Sequence, residues 1–378
     1  MTDEITIAAV PDMRDRPKRV ILGISGGVDS SVAALLLQQM GAEVIGMTMI
    51  TNDDGWAAAA DAASVCNTLG IEHIIEDVRN EFADSIIKDF VFSYTSGKTP
   101  NPCISCNPKF KFELLYKLAK AHKCDAVSTG HYARIRLNSN GRFAMERAPV
   151  GFKDQSYFLS RLRQDQLADL HFPLGTYNKT EVREIALEHN LLTAEGNRIG
   201  HKPDSQDNCF IPGSYTEFIE EYLYEKAPEL LYLTNPGNIV DEDGRVIGTH
   251  KGLIHYTIGQ RKGFEVKTTD RLFVIGRDIA SNTLRVGAHE KLMRNQIEIS
   301  DIVYSGLPSI DKPMKLRGRI RHSAIEAECV AYPAANKNKL IVEFEQPVSS
   351  PVAGQSCVLY HDGAIVASGF IEDSFLWN

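Results

Sequence analysis

Arg19-Val20-Ile21-Leu22-Gly23-Ile24-Ser25-Gly26-Gly27-Val28-Asp29-Ser30-Ser31 is the stretch on which the fold turns. Val20 to Ile24 is an apolar run of strand length; paired glycines follow, and Asp29 and two serines open a stretch of helical spacing from Ser30 to Met40. A strand that turns tightly into a helix leaves backbone N–H groups and hydroxyls converging at the helix N-terminus, where peptide dipoles favour an anion. Phosphate is the natural occupant.

Outward from this loop the chain alternates. Glu43 to Met49 and Glu72 to Glu76 read as strands, and Trp56 to Leu69 and Asn80 to Ser96 as helices. A helix at about Phe110 to His122 and a strand at Asp125 to Thr129 follow. Such alternation predicts an α/β unit, a parallel sheet covered by helices, with ligands beyond the carboxyl ends of the strands. Ala133 to Ala148 then reads as a hairpin turned at Asn140-Gly141, and Asn178 caps a helix with Glu181 in its first turn. From about Pro236 strands and turns dominate. Asp243-Gly244 and Asp362-Gly363 are hairpin signals, and the alternation of Leu340 to Phe344 predicts a closed or sandwiched β domain.

The 378 residues are enough for two or three domains, each with its own core. With 43% hydrophobic and 24% charged residues the chain is globular, and no apolar run approaches the length of about 20 residues that a membrane helix needs. Asp3 and Glu4 replace the basic start of a signal peptide, so the cytoplasm is the expected compartment. A net charge of −8 gives no global sign of nucleic acid, so any such contact must be local. One local candidate is Lys315, Arg317, Arg319 and Arg321, which alternate along a strand and would set four cations on one face. That face suits a phosphate backbone, or else guards an edge strand against aggregation.

The phosphate loop lacks the lysine of a Walker loop and the three spaced glycines of the dinucleotide fingerprint. It resembles the pyrophosphatase loop of enzymes that cleave ATP between its α and β phosphates and transfer AMP. Asp29 would then help hold Mg2+ on pyrophosphate; its simpler role is to cap the helix.

Of seven cysteines, Cys103 and Cys106 lie two residues apart on a proline-stiffened segment read as a loop, Pro100 to Asn107. Cys209 lies in a polar, turn-rich segment from Pro203 to Phe210. In a reducing compartment such thiols point to metal binding or sulfur chemistry. Cys66, Cys124, Cys329 and Cys357 sit in regular elements and read as small buried hydrophobes.

Six motifs now stand in order: the phosphate loop, Pro100-Asn101-Pro102 with Cys106-Asn107, Thr129-Gly130-His131-Tyr132, Lys153-Asp154-Gln155-Ser156-Tyr157, Asp204-Ser205 with Cys209-Phe210-Ile211, and His255-Tyr256-Thr257-Ile258-Gly259-Gln260-Arg261-Lys262-Gly263. From Arg19 to the C-terminus the chain resembles the tRNA-specific 2-thiouridylase (MnmA) family. The resemblance implies an ATP-binding catalytic domain over residues 1–208, a central domain over 209–285 and a C-terminal β-barrel over 286–378, clasping the anticodon arm of tRNA. It implies that ATP adenylates the C2 oxygen of the wobble uridine and that sulfur then displaces AMP. Residue by residue, Cys209 matches the persulfide carrier and Cys106 its partner thiol. Gly23, Ile24, Ser25, Gly26, Gly27, Val28, Asp29, Ser30, Ser31, Met49 and Gly130 match the nucleotide site. Asn101, Pro102, His131, Lys153, Asp154, Gln155, Arg321, His322 and Gln355 match positions facing tRNA, and the sulfur donor would be a persulfide carrier protein or sulfide.

In one place the chain departs from the family's pattern. Cys103 stands where the best-known members carry Asp after Pro-Asn-Pro, so the expected carboxylate base is missing. The third thiol raises an alternative: Cys103, Cys106 and Cys209 as ligands of a [4Fe-4S] cluster with one open iron. Zinc fits less well, for want of a fourth ligand. Rival readings are another adenylating ligase with the same loop, which needs no paired thiols, and a nucleotide- or iron–sulfur-sensing RNA-binding protein, which would not release AMP and pyrophosphate.

Overall fold

The computed structural model describes residues 9–10, 17–149, 153–204, 208–211, 213–266, 271–336 and 338–372. Asp3, Glu4, Ser205, Gln206 and Asp207 lie outside them. Val20, Ile21 and Leu22 are fully buried in strand β1 (Arg19–Gly23), as a central parallel strand covered on both faces requires. With β2 (Glu43–Ile50), β3 (Glu72–Asp77), β4 (Ala126–Thr129) and β5 (Leu170–His171) it forms a parallel sheet of order β3-β2-β1-β4-β5. The chain leaves β1 towards β2 and later returns on its other side as β4, so the order reverses at β1. Gly23 lies in register with Met47 of β2 and Thr129 of β4. The crevice at this reversal is where the phosphate loop begins.

Helices α1 (Val28–Gln39), α2 (Gly55–Leu69), α3 (Phe112–Ala121) and α4 (Lys179–Glu188) pack around the sheet. On one face Val20, Leu22 and Ile24 share a core with Val32 and Leu36 of α1, Val65 of α2 and Val182 of α4. On the other, Ile21, Ile45 and Val127 join Phe112 and Leu115 of α3, together with Val358, Tyr360 and Ile365 from near the far end of the chain.

The stretch Pro102–Cys106, expected as a loop, is a short helix with Pro102 in its first turn, where a missing N–H costs nothing. A wide turn over Asn107–Lys111 carries it on into α3.

A second, four-stranded sheet comprises β6 (Gly237–Val240), β7 (Val246–His250), β8 (Phe273–Asp278) and β9 (Thr283–Gly287), in the order β7-β6-β9-β8. Its Ile239, Val274, Leu284 and Val286 share one core with Phe82, Phe90, Cys106, Phe210 and Leu223.

The C-terminal strands are β10 (Met293–Tyr304), β11 (Met314–Arg319), β12 (Ala327–Pro333), β13 (Lys339–Ser349), β14 (Ser356–His361) and β15 (Ala364–Ile371). They pair antiparallel in the order β15-β10-β13-β12-β11-β14, and β14 returns to β15, closing a six-stranded barrel. The β14–β15 turn places Asp362 at φ 47° and Gly363 at φ 76°, the left-handed pair that an Asp-Gly hairpin needs.

The hairpin Arg134–Asn138 and Phe143–Glu146 turns at Asn140-Gly141 and then leaves the parallel-sheet unit. Glu146 pairs with Ala364 of β15, and the Arg147 N–H donates to the Gly363 carbonyl at 3.0 Å. Arg142 donates to the carbonyls of Ser305 and Tyr304 at 3.0 and 2.9 Å. The units therefore share cores and a sheet, where independent cores were expected: the hairpin's open edge finds its partner on the barrel. No helix among the described residues is long and apolar enough to cross a membrane.

Candidate active site

The phosphate loop is prefolded by its own hydroxyls. Ser30 Oγ accepts from the Ser25 N–H at 3.1 Å and donates to the Gly27 carbonyl at 3.2 Å; Ser31 Oγ donates to the same carbonyl at 2.8 Å. No side chain caps α1, so its first-turn N–H groups keep their capacity for an anion. Gly26 sits at φ 66°, and a Cβ there would lie 2.3 Å from the Ala58 carbonyl oxygen. Gly130, just beyond β4, backs onto α1 so closely that a Cβ would meet the Ser30 nitrogen at 2.7 Å. Ile24 is buried and bonded to Met47, while Met49 is half-buried near the end of β2.

A charged collar surrounds this loop. Asp29 Oδ1 accepts from the Tyr132 hydroxyl at 2.7 Å and Lys179 Nζ at 2.6 Å, and Oδ2 accepts from Lys153 Nζ at 3.3 Å. Burial, then the Asp29 charge, pushes the Tyr132 hydroxyl far up, so it remains a donor. Lys179 also reaches Asp204 at 2.8 Å, and Arg183 bonds the same carboxylate oxygen at 2.7 Å. Burial would raise Asp204, but Lys179, Lys153 and Arg183 together hold it below the usual carboxylate value. Lys202 donates to the Gly26 carbonyl at 2.9 Å and to Asp61 at 2.6 Å. Asp29, expected to help hold Mg2+ or to cap the helix, has both oxygens engaged by lysines.

The three thiols all feel the charge of Lys111, and Cys103 Sγ lies 4.0 Å from the side-chain oxygen of Asn208, the residue before Cys209. Burial pushes Cys106 up to about 11, with Lys111 opposing and the Cys209 and Cys103 charges adding to the rise. Cys103 is likewise raised by burial and lowered by Lys111. Cys209 lies at the surface, yet the atoms crowded beneath it raise its thiol against the pull of Lys111. Lys111 is steered by the Asn107 side-chain oxygen at 3.0 Å, and Asn107 in turn donates to the Phe158 carbonyl at 2.9 Å. Asn52, beyond the carboxyl end of β2, donates to the Cys209 carbonyl at 3.3 Å, which brings Cys209 to the nucleotide side of the sheet. All three cysteines are free thiols.

The expectation of Cys103, Cys106 and Cys209 as a three-ligand set is not shown by this arrangement. Among the described residues no three His, Cys, Asp or Glu side chains are grouped to hold a metal ion.

The residues expected to face tRNA divide into two sets. Asn101, Arg321, His322 and Gln355 line one cleft of about 440 Å³, shared by the catalytic unit, the second sheet and the barrel. Arg321 donates to the Ser349 carbonyl at 3.0 Å, Gln355 to the Thr99 carbonyl at 2.7 Å, and His322 stacks on Phe158 with ring centroids 4.4 Å apart. Pro102, next to Asn101, is buried. The other set turns inward. Lys153 goes to Asp29, the Gln155 side-chain oxygen accepts from the Tyr132 N–H at 2.9 Å, and Asp154 pairs with Arg319 at 3.4 Å. His131 shares a 2.7 Å hydrogen bond with Thr129 and lies between Phe112 and Phe172; burial and then the nearby lysines drive its pKa well below the ordinary value. The basic stripe is also partly consumed, since Arg317 pairs with Glu326 and Glu328, and Arg319 with Asp154.

Sequence reasoning missed Lys179, Arg183, Lys202, Asp61 and Lys111. One signal was readable: Lys179 follows the cap Asn178, and a cation in a helix's first turn opposes the helix dipole.

Family models match residues 18–213 as a tRNA methyl transferase HUP domain, 217–288 as a tRNA methyl transferase PRC-barrel domain and 294–371 as an aminomethyltransferase β-barrel domain. A tRNA-specific 2-thiouridylase MnmA from Symbiobacterium thermophilum is 39% identical over 98% of this chain and 97% of its own length. The chain belongs to the tRNA-specific 2-thiouridylase family. A second 2-thiouridylase, from Clostridioides difficile, is 36% identical over 94% of this chain and 99% of its own. An NH3-dependent NAD synthetase from Campylobacter jejuni, covering 58% of this chain and 82% of its own, is 20% identical with a TM-score of 0.32. The model descriptions speak of methyl transfer, whereas the curated 2-thiouridylases are named for thiolation. Free thiols beside a phosphate loop suit the latter chemistry.

Proposed function

We propose that this chain uses ATP to activate the C2 oxygen of the wobble uridine in tRNA and replaces that oxygen with sulfur. The observation that carries the reading is the placing of Cys103, Cys106 and Cys209 about Lys111, on the side of a parallel sheet whose central strand ends in a phosphate loop. The uridine oxygen bonds to the α-phosphorus of ATP as the α–β bridge breaks, and pyrophosphate leaves with the electron pair. A poor leaving oxygen thereby becomes part of AMP. The terminal sulfur of a persulfide on Cys209 then attacks C2, and AMP departs. The Cys106 thiolate attacks the Cys209 sulfur, breaking the S–S bond to leave sulfur on the base and closing a Cys106–Cys209 disulfide. Two external thiols reduce that disulfide, and the Cys209 thiolate then takes the outer sulfur of a persulfide carrier protein, whose thiol leaves; sulfide instead reloads Cys209 by opening the Cys106–Cys209 disulfide itself, with the Cys106 thiol leaving. Asp29 would hold Mg2+ on pyrophosphate, where the ion neutralises the leaving charge.

Residues 1–208 serve adenylation in this reading, and residues 209–285 and 286–378 help form the RNA cleft for the anticodon arm, in the cytoplasm. Asn101, Arg321, His322 and Gln355 contact the RNA there.

Anaerobically purified protein assayed with unmodified tRNA tests the reading. The expected result is one AMP and one pyrophosphate released per 2-thiouridine, activity independent of bound iron, and loss of thiolation but not of tRNA-dependent pyrophosphate exchange in Cys209→Ser. Activity that tracks a stoichiometric iron–sulfur cluster overturns the persulfide step.

A further inference from the structure

Asp29 is held by three donors, and two of them are lysines from distant parts of the chain. Lys179 directs two N–H groups to Asp29 and Asp204 and has a third to offer. Lys153 makes one long contact of 3.3 Å and rests over the Tyr132 ring at 4.9 Å, leaving two donors. Both side chains are partly shielded from water, with exposures of 22% for Lys179 and 35% for Lys153. Both approach the second residue of α1, whose uncapped N-terminus already favours an anion. Lys179 also stands in the first turn of α4, against that helix's own dipole, a position that an external anion compensates. Arg183 is different. Its guanidinium is anchored to the carbonyls of Gly200 and Lys202 at 2.6 and 2.9 Å, so it stays with Asp204 when Lys179 moves.

We infer that Lys179 and Lys153, which here both reach Asp29, are the pyrophosphate-binding pair of this loop. The β and γ phosphates of ATP, or inorganic pyrophosphate, carry more charge than one carboxylate and draw both ammonium groups off Asp29. Its oxygens are then released to face the phosphates' counter-ion. The inference rests on the reading that ATP is a substrate, and it adds residues that supply the cationic charge a Walker lysine supplies elsewhere.

Calorimetric titration of the full chain with inorganic pyrophosphate, and separately with adenosine, tests it. Loss of one charge-assisted contact predicts that Lys179→Met weakens pyrophosphate by about thirtyfold, with adenosine affinity unchanged and Lys179→Arg retaining most of the binding. Lys153→Met gives a smaller loss in the same direction. Undiminished pyrophosphate binding by Lys179→Met overturns the inference, and so does an equal loss of both ligands, which marks a structural role. Lysine-dependent pyrophosphate binding by a chain that never thiolates tRNA would instead sink the functional reading and leave this inference standing.

Discussion

At Cys106 burial and charge oppose each other and burial prevails, so the thiol is pushed up to about 11. Little thiolate exists at neutral pH, and sulfur release should quicken about tenfold per pH unit between 7 and 9, as the thiolate fraction does. Lys111 is the cation that limits the penalty for all three thiols. Lys111→Met should therefore raise the thiols further and slow iodoacetamide capture of Cys106 several-fold across that range, read by mass spectrometry. Capture at an unchanged rate would remove Lys111 from the sulfur chemistry. The cysteines could be picked out of the sequence by their polar, proline-rich surroundings. Lys111 was passed over although it lies near Cys103 and Cys106 in sequence, because only the fold shows that it also reaches Cys209.

The strand–loop–helix unit was legible because its signals are local: an apolar run, paired glycines and a polar helix start. The same local logic misread Pro102–Cys106, where prolines and asparagines suggest a loop but Pro102 is seated in a helix's first turn. Lys179 escaped notice because its partner Asp29 is 150 residues away. The close fit of Gly130 against α1 was equally unreadable, yet it yields a sharp expectation. Gly130→Ala would place Cβ 2.7 Å from the Ser30 nitrogen and 2.8 Å from the Asp29 carbonyl carbon, neither of which can swing aside. The helix start must shift, raising the KM for ATP about tenfold or more, since a displacement near 1 Å costs roughly a hundredfold at a reacting centre. A KM like that of the unaltered chain would show that the loop tolerates the shift.

On the scale of the whole molecule, composition foretold several units and the turn signals foretold their strands, but nothing in the sequence announced that their cores merge. Cys106 and Phe210 share a core with the second sheet, and Tyr360 of the barrel shares one with the catalytic sheet. Thermal unfolding should accordingly show one cooperative transition. Arg142→Ala, which removes a side-chain donor from the Tyr304 carbonyl and leaves the Ser305 carbonyl to Gln164, should cost about 1–3 kcal/mol and lower that single melting temperature. Separate melting of the barrel would refute the coupling.

The merged core also bears on how the molecule is made. Val358, Tyr360 and Ile365 complete the packing on one face of the catalytic sheet, yet they lie more than 200 residues after the last strand of a 19–129 core that includes the phosphate loop. A chain emerging from the ribosome N-terminus first must hold the part of that apolar face beyond α3 uncovered until β14 and β15 appear. The nucleotide site is thus translated early and finished late, and the nascent chain is most in need of a chaperone during the interval between.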